Sequence, residues 1–281
     1  VNELRREQDS LTPDPWPLAP TLVQDLRALG NVQAPKTLLP AVLGAVGLLD
    51  QYARLETPIG RCYVAFSARG VSAVLRADSD DAFQSAFRER FGRSARLVAE
   101  VPANVRKLLD WQFNRAANEG EPSHRPSELH FDLRGLSEFE QAVLRKALEI
   151  PRGEVRPYAW IARQIGHPKA VRAVGSALGD NPIPLLIPCH RVVKSDGRLG
   201  NYGFGVEAKR AALAAEGIDP DQLEALARSG VRYFGSDTTR IYCFPTCRHA
   251  RRVTDQHRVT FRSEAEARAI GYRPCKVCQP A

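Results

Sequence analysis

Polar and apolar positions alternate over three short runs, residues 52–56, 62–67 and 71–75, which predicts three strands with one buried face. The breaks Pro58-Ile59-Gly60 and Ala68-Arg69-Gly70 between them suit hairpin turns. Beyond them the period lengthens, and helices are expected around residues 82–91 and 103–117, followed by a loop at 118–123. Ser137 with Glu140 three positions later is a capping-box signature that opens a helix to about residue 149, stopped by Pro151-Arg152-Gly153. Two short helical patterns, 158–165 ending at Gly166 and 169–178 after His167-Pro168, have the spacing of a helix-turn-helix. A last helix is expected over 207–216 with Gly217 as its C′ residue, then an acidic linker helix or loop at 218–230. Residues 1–48 hold a Pro-rich stretch at 12–17 and two short helical patterns, and nothing in them points to a role. The pattern divides the chain into an extension (1–49), an α+β unit (50–134), a helical unit (135–217), the linker (218–230) and a compact terminal unit (231–281).

With 281 residues, 43% of them hydrophobic, the chain has material for two or three packed cores, and no apolar run is long enough to span a bilayer. The charged N-terminus has no secretory pattern, so a cytoplasmic protein is expected. The net charge of +8 is unevenly spread: residues 1–150 carry 19 basic and 20 acidic side chains, 151–217 carry 10 and 5, and 231–281 carry 10 and 4. A positive second half suits a polyanion, and an Arg-rich solvated surface is the plainer alternative.

Six cysteines are present. Cys62 alternates with buried-type residues and reads as a structural thiol. Cys243-x3-Cys247 and Cys275-x2-Cys278, separated by 27 residues, form two close pairs of the kind that give Zn²⁺ four thiolates, and a unit of this size needs such a staple. A redox pair at Cys275 and Cys278 is the alternative, and iron fits the same ligands. Cys189 is followed by His190 and Arg191, a base and a positive charge that favour a reactive thiolate, and Pro188 restricts the backbone before it. From that stretch alone a buried cysteine after an apolar strand is the plainer reading.

The wider run Pro188-Cys189-His190-Arg191-Val192-Val193, with Gly200-Asn201-Tyr202, Gly153-Glu154, Tyr158, Arg172-Ala173-Val174-Gly175, Asn181 and the helix to Glu216, resembles the O6-alkylguanine-DNA alkyltransferases from about residue 50 to 217. The resemblance implies an α+β protein with a small ribonuclease-H-like α/β N-terminal domain and a winged helix-turn-helix-type catalytic domain. It also implies irreversible transfer of an alkyl group from O6-alkylguanine, and from O4-alkylthymine, in double-stranded DNA to Cys189, once per molecule and without a cofactor or small-molecule cosubstrate. The base is flipped out of the duplex to be reached. By the same resemblance Arg172 fills the gap in the stack, with Lys169 and Arg191 on the DNA; Glu216 orients His190, which takes the Cys189 proton through a water; Tyr158 protonates the departing guanine; and Asn181 braces the turn. Val192, Tyr202, Gly203 and Phe204 line the substrate pocket. Relatives have a small Ser- or Gly-rich loop where Gly203-Phe204-Gly205 stands, so Phe204 is expected to favour methyl over bulky adducts and to make O6-benzylguanine a poor substrate.

Residues 233–243 and 271–275 resemble the zinc domain of the bacterial Ada protein, giving a small zinc-stapled α+β C-terminal domain. That resemblance implies phosphate contacts from Arg248, Arg251 and Arg252 and makes Cys243 the candidate second acceptor, for a methyl from a backbone methylphosphotriester. A zinc ribbon that only holds DNA is the other reading. The domain order differs from Ada, and no transcriptional helix-turn-helix module accompanies the zinc unit. The reading is a monomeric, nucleoid-associated bacterial repair protein; its rival is a non-catalytic lesion-binding or methylation-responsive regulatory protein.

Overall fold

The computed structural model describes residues 35–113 and 129–280, together with Gln24. The chain divides into two compact units, 1–42 and 43–281. Helix α1 (Leu38–Ala45) runs across the division and has no buried residue. The first helical pattern expected in the extension and the loop at 118–123 lie outside the described residues.

The three expected strands form as β1 (Leu49–Thr57), β2 (Gly60–Ser67) and β3 (Gly70–Leu75), antiparallel neighbours with Leu55 opposite Cys62. A fourth strand, β4 (Ser94–Leu97), joins β1 in parallel, so the sheet order is β3-β2-β1-β4. At four residues, of which only Ala95 is buried, β4 is too short for its alternation to register in the sequence. Between β3 and β4 lies α2 (Asp80–Phe91), where Ser79 accepts the Ala82 N–H, Asp80 and Asp81 sit in the first turn, and Gly92 closes the helix at φ 67°. Phe83 and Phe87 of α2 pack with Tyr52 and Tyr63 of the sheet. The outer edge of β3 is taken by residues 130–132, and a Cβ on Gly70 (φ +117°) would lie 2.3 Å from His130 O, so only glycine fits there. Helix α3 (Ala103–Phe113) covers the other face, burying Val105, Leu108, Leu109 and Gln112.

The second half is mainly helical. Helix α4 (Glu138–Leu148) opens with the capping box: Ser137 N–H donates to Glu140 Oε2 at 2.7 Å and Glu140 N–H to Ser137 Oγ at 3.3 Å. The short strand β5 (Arg156–Pro157) runs into α5 (Tyr158–Gln164), and α6 (Val171–Gly179) follows after a turn. Helix α6 starts two residues later than expected, because His167 to Ala170 close a turn on themselves through Ala170 N–H to His167 O, 2.9 Å. A 3₁₀ turn, Cys189–Arg191, leads into β6 (Val192–Val193), which pairs in parallel with β5. Helix α7 (Val206–Ala215) ends in a Schellman arrangement: Gly217 (φ +83°) N–H bonds Ala214 O at 2.9 Å and Ile218 N–H bonds Leu213 O at 3.0 Å, which leaves Glu216 at the cap.

Residues 218–230 contain a helix, α8 (Pro220–Arg228), capped by Asp219, and its Leu223 joins Val155, Val193, Leu199, Leu213 and Ile218 in a buried cluster. This segment is packed rather than free. The terminal unit is a second four-stranded sheet, β10-β8-β7-β9, from β7 (Tyr233–Ser236), β8 (Ile241–Cys243), β9 (Arg258–Phe261) and β10 (Arg273–Pro274), with α9 (Glu264–Ala269) between the last two. Because β10 and β8 are parallel, with Pro274 beside Tyr242, Cys243 and Cys275 emerge next to each other. No described helix is long and apolar enough to cross a membrane.

Candidate alkyl-acceptor site and metal centre

Cys189 opens its 3₁₀ turn 5% exposed, within a wholly buried run of residues 181–193. Asn181 shapes that run: its Oδ1 accepts the Ile183 N–H (2.9 Å), and its Nδ2 donates to Ile187 O (3.1 Å) and to Cys189 Sγ (3.0 Å). Burial pushes the Cys189 thiol up from its ordinary value, while the Asn181 amide and the charge of Lys209 act to favour the thiolate.

Behind the thiol lies a buried carboxylate. His190 Nε2 is 2.7 Å from Glu216 Oε1, Arg191 contacts both carboxylate oxygens through Nε (3.0 and 2.9 Å) and Oε1 through Nη2 (2.8 Å), and Gly153 N–H donates to Oε2 at 3.2 Å. Burial alone would push the Glu216 carboxyl up; the Arg191 guanidinium and His190 outweigh it and hold it at about 2. An ionised carboxylate only accepts, so His190 Nε2 carries the hydrogen and Nδ1 keeps its lone pair. Nδ1 is buried with no hydrogen-bond partner among the described residues, and burial pulls the imidazole below its ordinary value, so it stays neutral and basic at neutral pH. Among the described residues no hydrogen bond joins the His190 ring to Cys189 Sγ; the His190 backbone N–H helps to favour the thiolate.

Arg191 departs from expectation. Its side chain is 3% exposed and is shared between Glu216 and Ile150 O (2.7 Å), so its guanidinium is turned into the protein. The resemblance placed it on the DNA, whereas the 3₁₀ turn points it inward. Tyr158, half-buried at the start of α5, holds its hydroxyl 3.4 Å from Asn201 O, and burial with the nearby Cys189 raises its phenol, keeping it protonated. Val192 is buried, whereas Tyr202 is half-buried and stands edge-on to His190 (6.3 Å) and to the half-buried Phe204 (5.8 Å); Gly203 is exposed. Lys169 and Arg172 are exposed at the start of the second helix of the pair.

Three supports were not read from the sequence. Lys209 is fully buried and donates from Nζ to Val192 O (2.5 Å) and Leu199 O (2.6 Å); burial brings its ammonium down to about 8. Its signal is positional: Lys209, Ala212, Leu213 and Glu216 fall on one face of α7, so a charge stands in the apolar stripe. Gln112 donates from Nε2 to Leu185 O at 2.5 Å, bracing a non-glycine residue at φ 71°. Arg156, ion-paired with Glu154, is 2% exposed. The Gln112 contact spans 73 positions, and no local pattern announces it.

In the terminal unit the sulfurs of Cys243, Cys247, Cys275 and Cys278 all lie within 4.8 Å of one another, and all four residues are buried. Four soft donors with no oxygen ligand suit zinc, and residues 275–278 sit directly after the strand that brings them to Cys243. Cys243 itself is 4% exposed. Arg248, Arg251 and Arg252 follow the second cysteine and are exposed.

A buried thiol polarised by an amide, with a neutral imidazole fixed by an ionised carboxylate next to it, defines a protein built around a nucleophilic cysteine. Residues 138–218 match the family described as 6-O-methylguanine DNA methyltransferase, DNA binding domain, and residues 226–281 match the metal binding domain of Ada. The methylated-DNA–protein-cysteine methyltransferase of Rattus norvegicus is 36% identical over 180 residues, 61% of this chain and 84% of that protein. This chain belongs to the methylated-DNA–protein-cysteine methyltransferase family. The bifunctional transcriptional activator/DNA repair enzyme Ada of Escherichia coli is 37% identical over 175 residues, 62% of this chain and 47% of that protein. A crystal structure of Mycobacterium tuberculosis OGT in complex with DNA, 31% identical, covers 62% of this chain and 98% of its own at a TM-score of 0.48. The chain spans about half the length of the first curated relatives it matches.

Proposed function

We propose that this chain repairs DNA by moving an alkyl group, a methyl above all, from guanine O6 to Cys189 Sγ, once per molecule. The observation that carries this reading is the convergence of Asn181 on the sulfur and of His190 on an ionised Glu216. His190 Nδ1 takes the thiol proton through a water, and the sulfur attacks the alkyl carbon in line with its bond to O6. The S–C bond forms as the C–O6 bond breaks, the bonding pair stays on the purine, and Tyr158 protonates the departing guanine. Solvent returns a proton to Tyr158 and removes the one on His190, so the count closes. The product thioether has no good leaving group, which makes the transfer irreversible.

The target base reaches a buried sulfur only when flipped from the duplex, a role for Arg172 at the exposed start of α6. Lys169, Arg248, Arg251 and Arg252 supply phosphate contacts, consistent with the positive second half of the chain. In this reading residues 50–134 are the ribonuclease-H-like domain, 135–217 the winged helix-turn-helix-type catalytic domain, 218–230 their link to the zinc-stapled unit 231–281, and the protein acts as a monomer on chromosomal DNA in the bacterial cytoplasm. Zinc is held by the four cysteines and does not touch the reacting atoms at Cys189. The test is Cys189→Ala on a duplex carrying O6-methylguanine, read by nucleoside analysis. The native chain is expected to convert the base to guanine up to one equivalent, and the variant none; undiminished repair by the variant rejects the reading.

A further inference from the structure

The two loops that carry the cysteine pairs are both seated on one stretch of the preceding unit, residues 153–163. From the first loop, Thr246 Oγ1 accepts the Val155 N–H at 2.9 Å, and the Arg248 N–H donates to Glu154 Oε1 at 2.9 Å. From the second, Cys278 O accepts Trp160 Nε1–H at 3.0 Å and Pro280 O accepts from Arg163 at 3.0 Å. Arg156 lies between them, buried, with its guanidinium 5.3 Å from the ring centre of Phe244, the neighbour of Cys243. The Arg156 Nε–H has no hydrogen-bond partner among the described residues, so a buried cation faces the loop whose thiolates would carry negative charge around a zinc ion.

The same stretch reaches the acceptor site with its remaining atoms. The Gly153 N–H is one of the donors on the Glu216 carboxylate. Arg156 and Pro157 pair along their backbones with Val192 and Val193, which follow the Cys189–Arg191 turn directly. Tyr158 comes next in the chain. Ten or so residues are thus gripped by the metal loops on one side and bear on the thiol site on the other. A small cysteine-ligated unit takes much of its folding energy from its metal, so the grip depends on the ion.

We propose that the metal-holding unit is a positioning element of the Cys189 site: its cysteine loops, through Thr246, Arg248 and the Cys278 carbonyl, clamp residues 153–163 and thereby set the rate of alkyl transfer without touching the substrate. The inference rests on the transfer reading above. It also gives the four cysteines a role that does not require the sulfur of Cys243, 4% exposed, to meet a DNA phosphate.

The full chain is compared zinc-loaded, zinc-stripped by a chelator and reloaded, alongside a zinc-loaded Thr246→Val variant. Three readouts are taken: bound zinc, amide hydrogen exchange over residues 153–163, and the single-turnover rate with O6-methylguanine duplex across pH. Stripping is expected to speed exchange at Val155 and its neighbours by about tenfold or more and to slow transfer by roughly tenfold, with both restored by zinc. Thr246→Val is expected to keep its zinc, to speed the same exchange, to slow transfer about threefold and to displace the acid limb of the pH profile, which a purely structural contact would leave in place. Unchanged exchange and unchanged rate on stripping overturn the inference. If the loaded chain transfers nothing, the reading of Cys189 fails instead, and the exchange data still decide whether the metal unit clamps the segment.

Discussion

Lys209 ties three things together with one ammonium group: the strand after the reactive turn, the loop toward Tyr202, and the charge balance around Cys189. Replacing it by methionine keeps the stem and removes the donors, leaving Val192 O and Leu199 O buried and unpaired. The expected cost is about 1–3 kcal/mol, seen as a lower urea midpoint. The Cys189 thiol should at the same time react with iodoacetamide only at higher pH than in the native chain. An unchanged midpoint and an unchanged reactivity profile would remove Lys209 from the site.

The buried His190–Glu216 pair has a signature in pH. Burial holds His190 below its ordinary value, so as pH drops through about 6.5 the unfolded chain binds a proton that the folded chain refuses, and stability falls. Glu216, held at about 2 against an unfolded value near 4.3, adds a loss of the same sign below about pH 5, on the order of 3 kcal/mol once pH passes the folded value. Glu216→Gln should flatten this acid limb in denaturant titrations at stepped pH; a variant with the native slope would contradict the assignment. At this scale the sequence was legible where chemistry is local. The four paired cysteines announce themselves by spacing, and Cys189 with His190 by the wider run of residues around them, but the inward turn of Arg191 depends on a 3₁₀ geometry that the letters do not display.

Helix ends were among the most readable elements, because caps are short-range chemistry. Ser137 and Glu140 form the reciprocal pair their spacing promised, and Gly217 ends α7 in the left-handed region and so leaves Glu216 at the cap. Ser137→Ala should cost about 1 kcal/mol by losing one N–H partner at the start of α4, measurable by urea unfolding, with the transfer rate left near native. A loss below the error of that measurement would mean the box is solvent-compensated. Strand β4 was missed for the opposite reason: its place comes from parallel pairing with β1 rather than from its own pattern. The same holds for residues 180–185, fixed from outside by the Val74 N–H on Pro182 O (2.8 Å), Arg90 on Asp180 O (2.5 Å) and Gln112 on Leu185 O (2.5 Å). The sheet unit, which showed no chemistry of its own in the sequence, thus serves by holding the loop that carries Asn181.

Over the whole of residues 43–281 the sulfur of Cys189, the helices around it and the four metal-type cysteines belong to one continuous buried cluster. The sequence separates a catalytic region, a linker and a metal region by composition. The structure packs α8 and both cysteine loops onto the catalytic elements, and the loop contacts span 91 and 118 positions and so leave no local trace. The charge asymmetry, by contrast, is additive and was readable from counts alone.

The account stands or falls on where the alkyl group ends. The direct measurement is peptide mass spectrometry of the full chain after incubation with excess O6-methylguanine duplex. It predicts a single methyl on the peptide containing Cys189, approaching one per molecule and not exceeding it, while Cys62 stays unmodified. A repaired duplex with an unmodified Cys189 peptide, or a tightly bound duplex with its lesion intact, would contradict it.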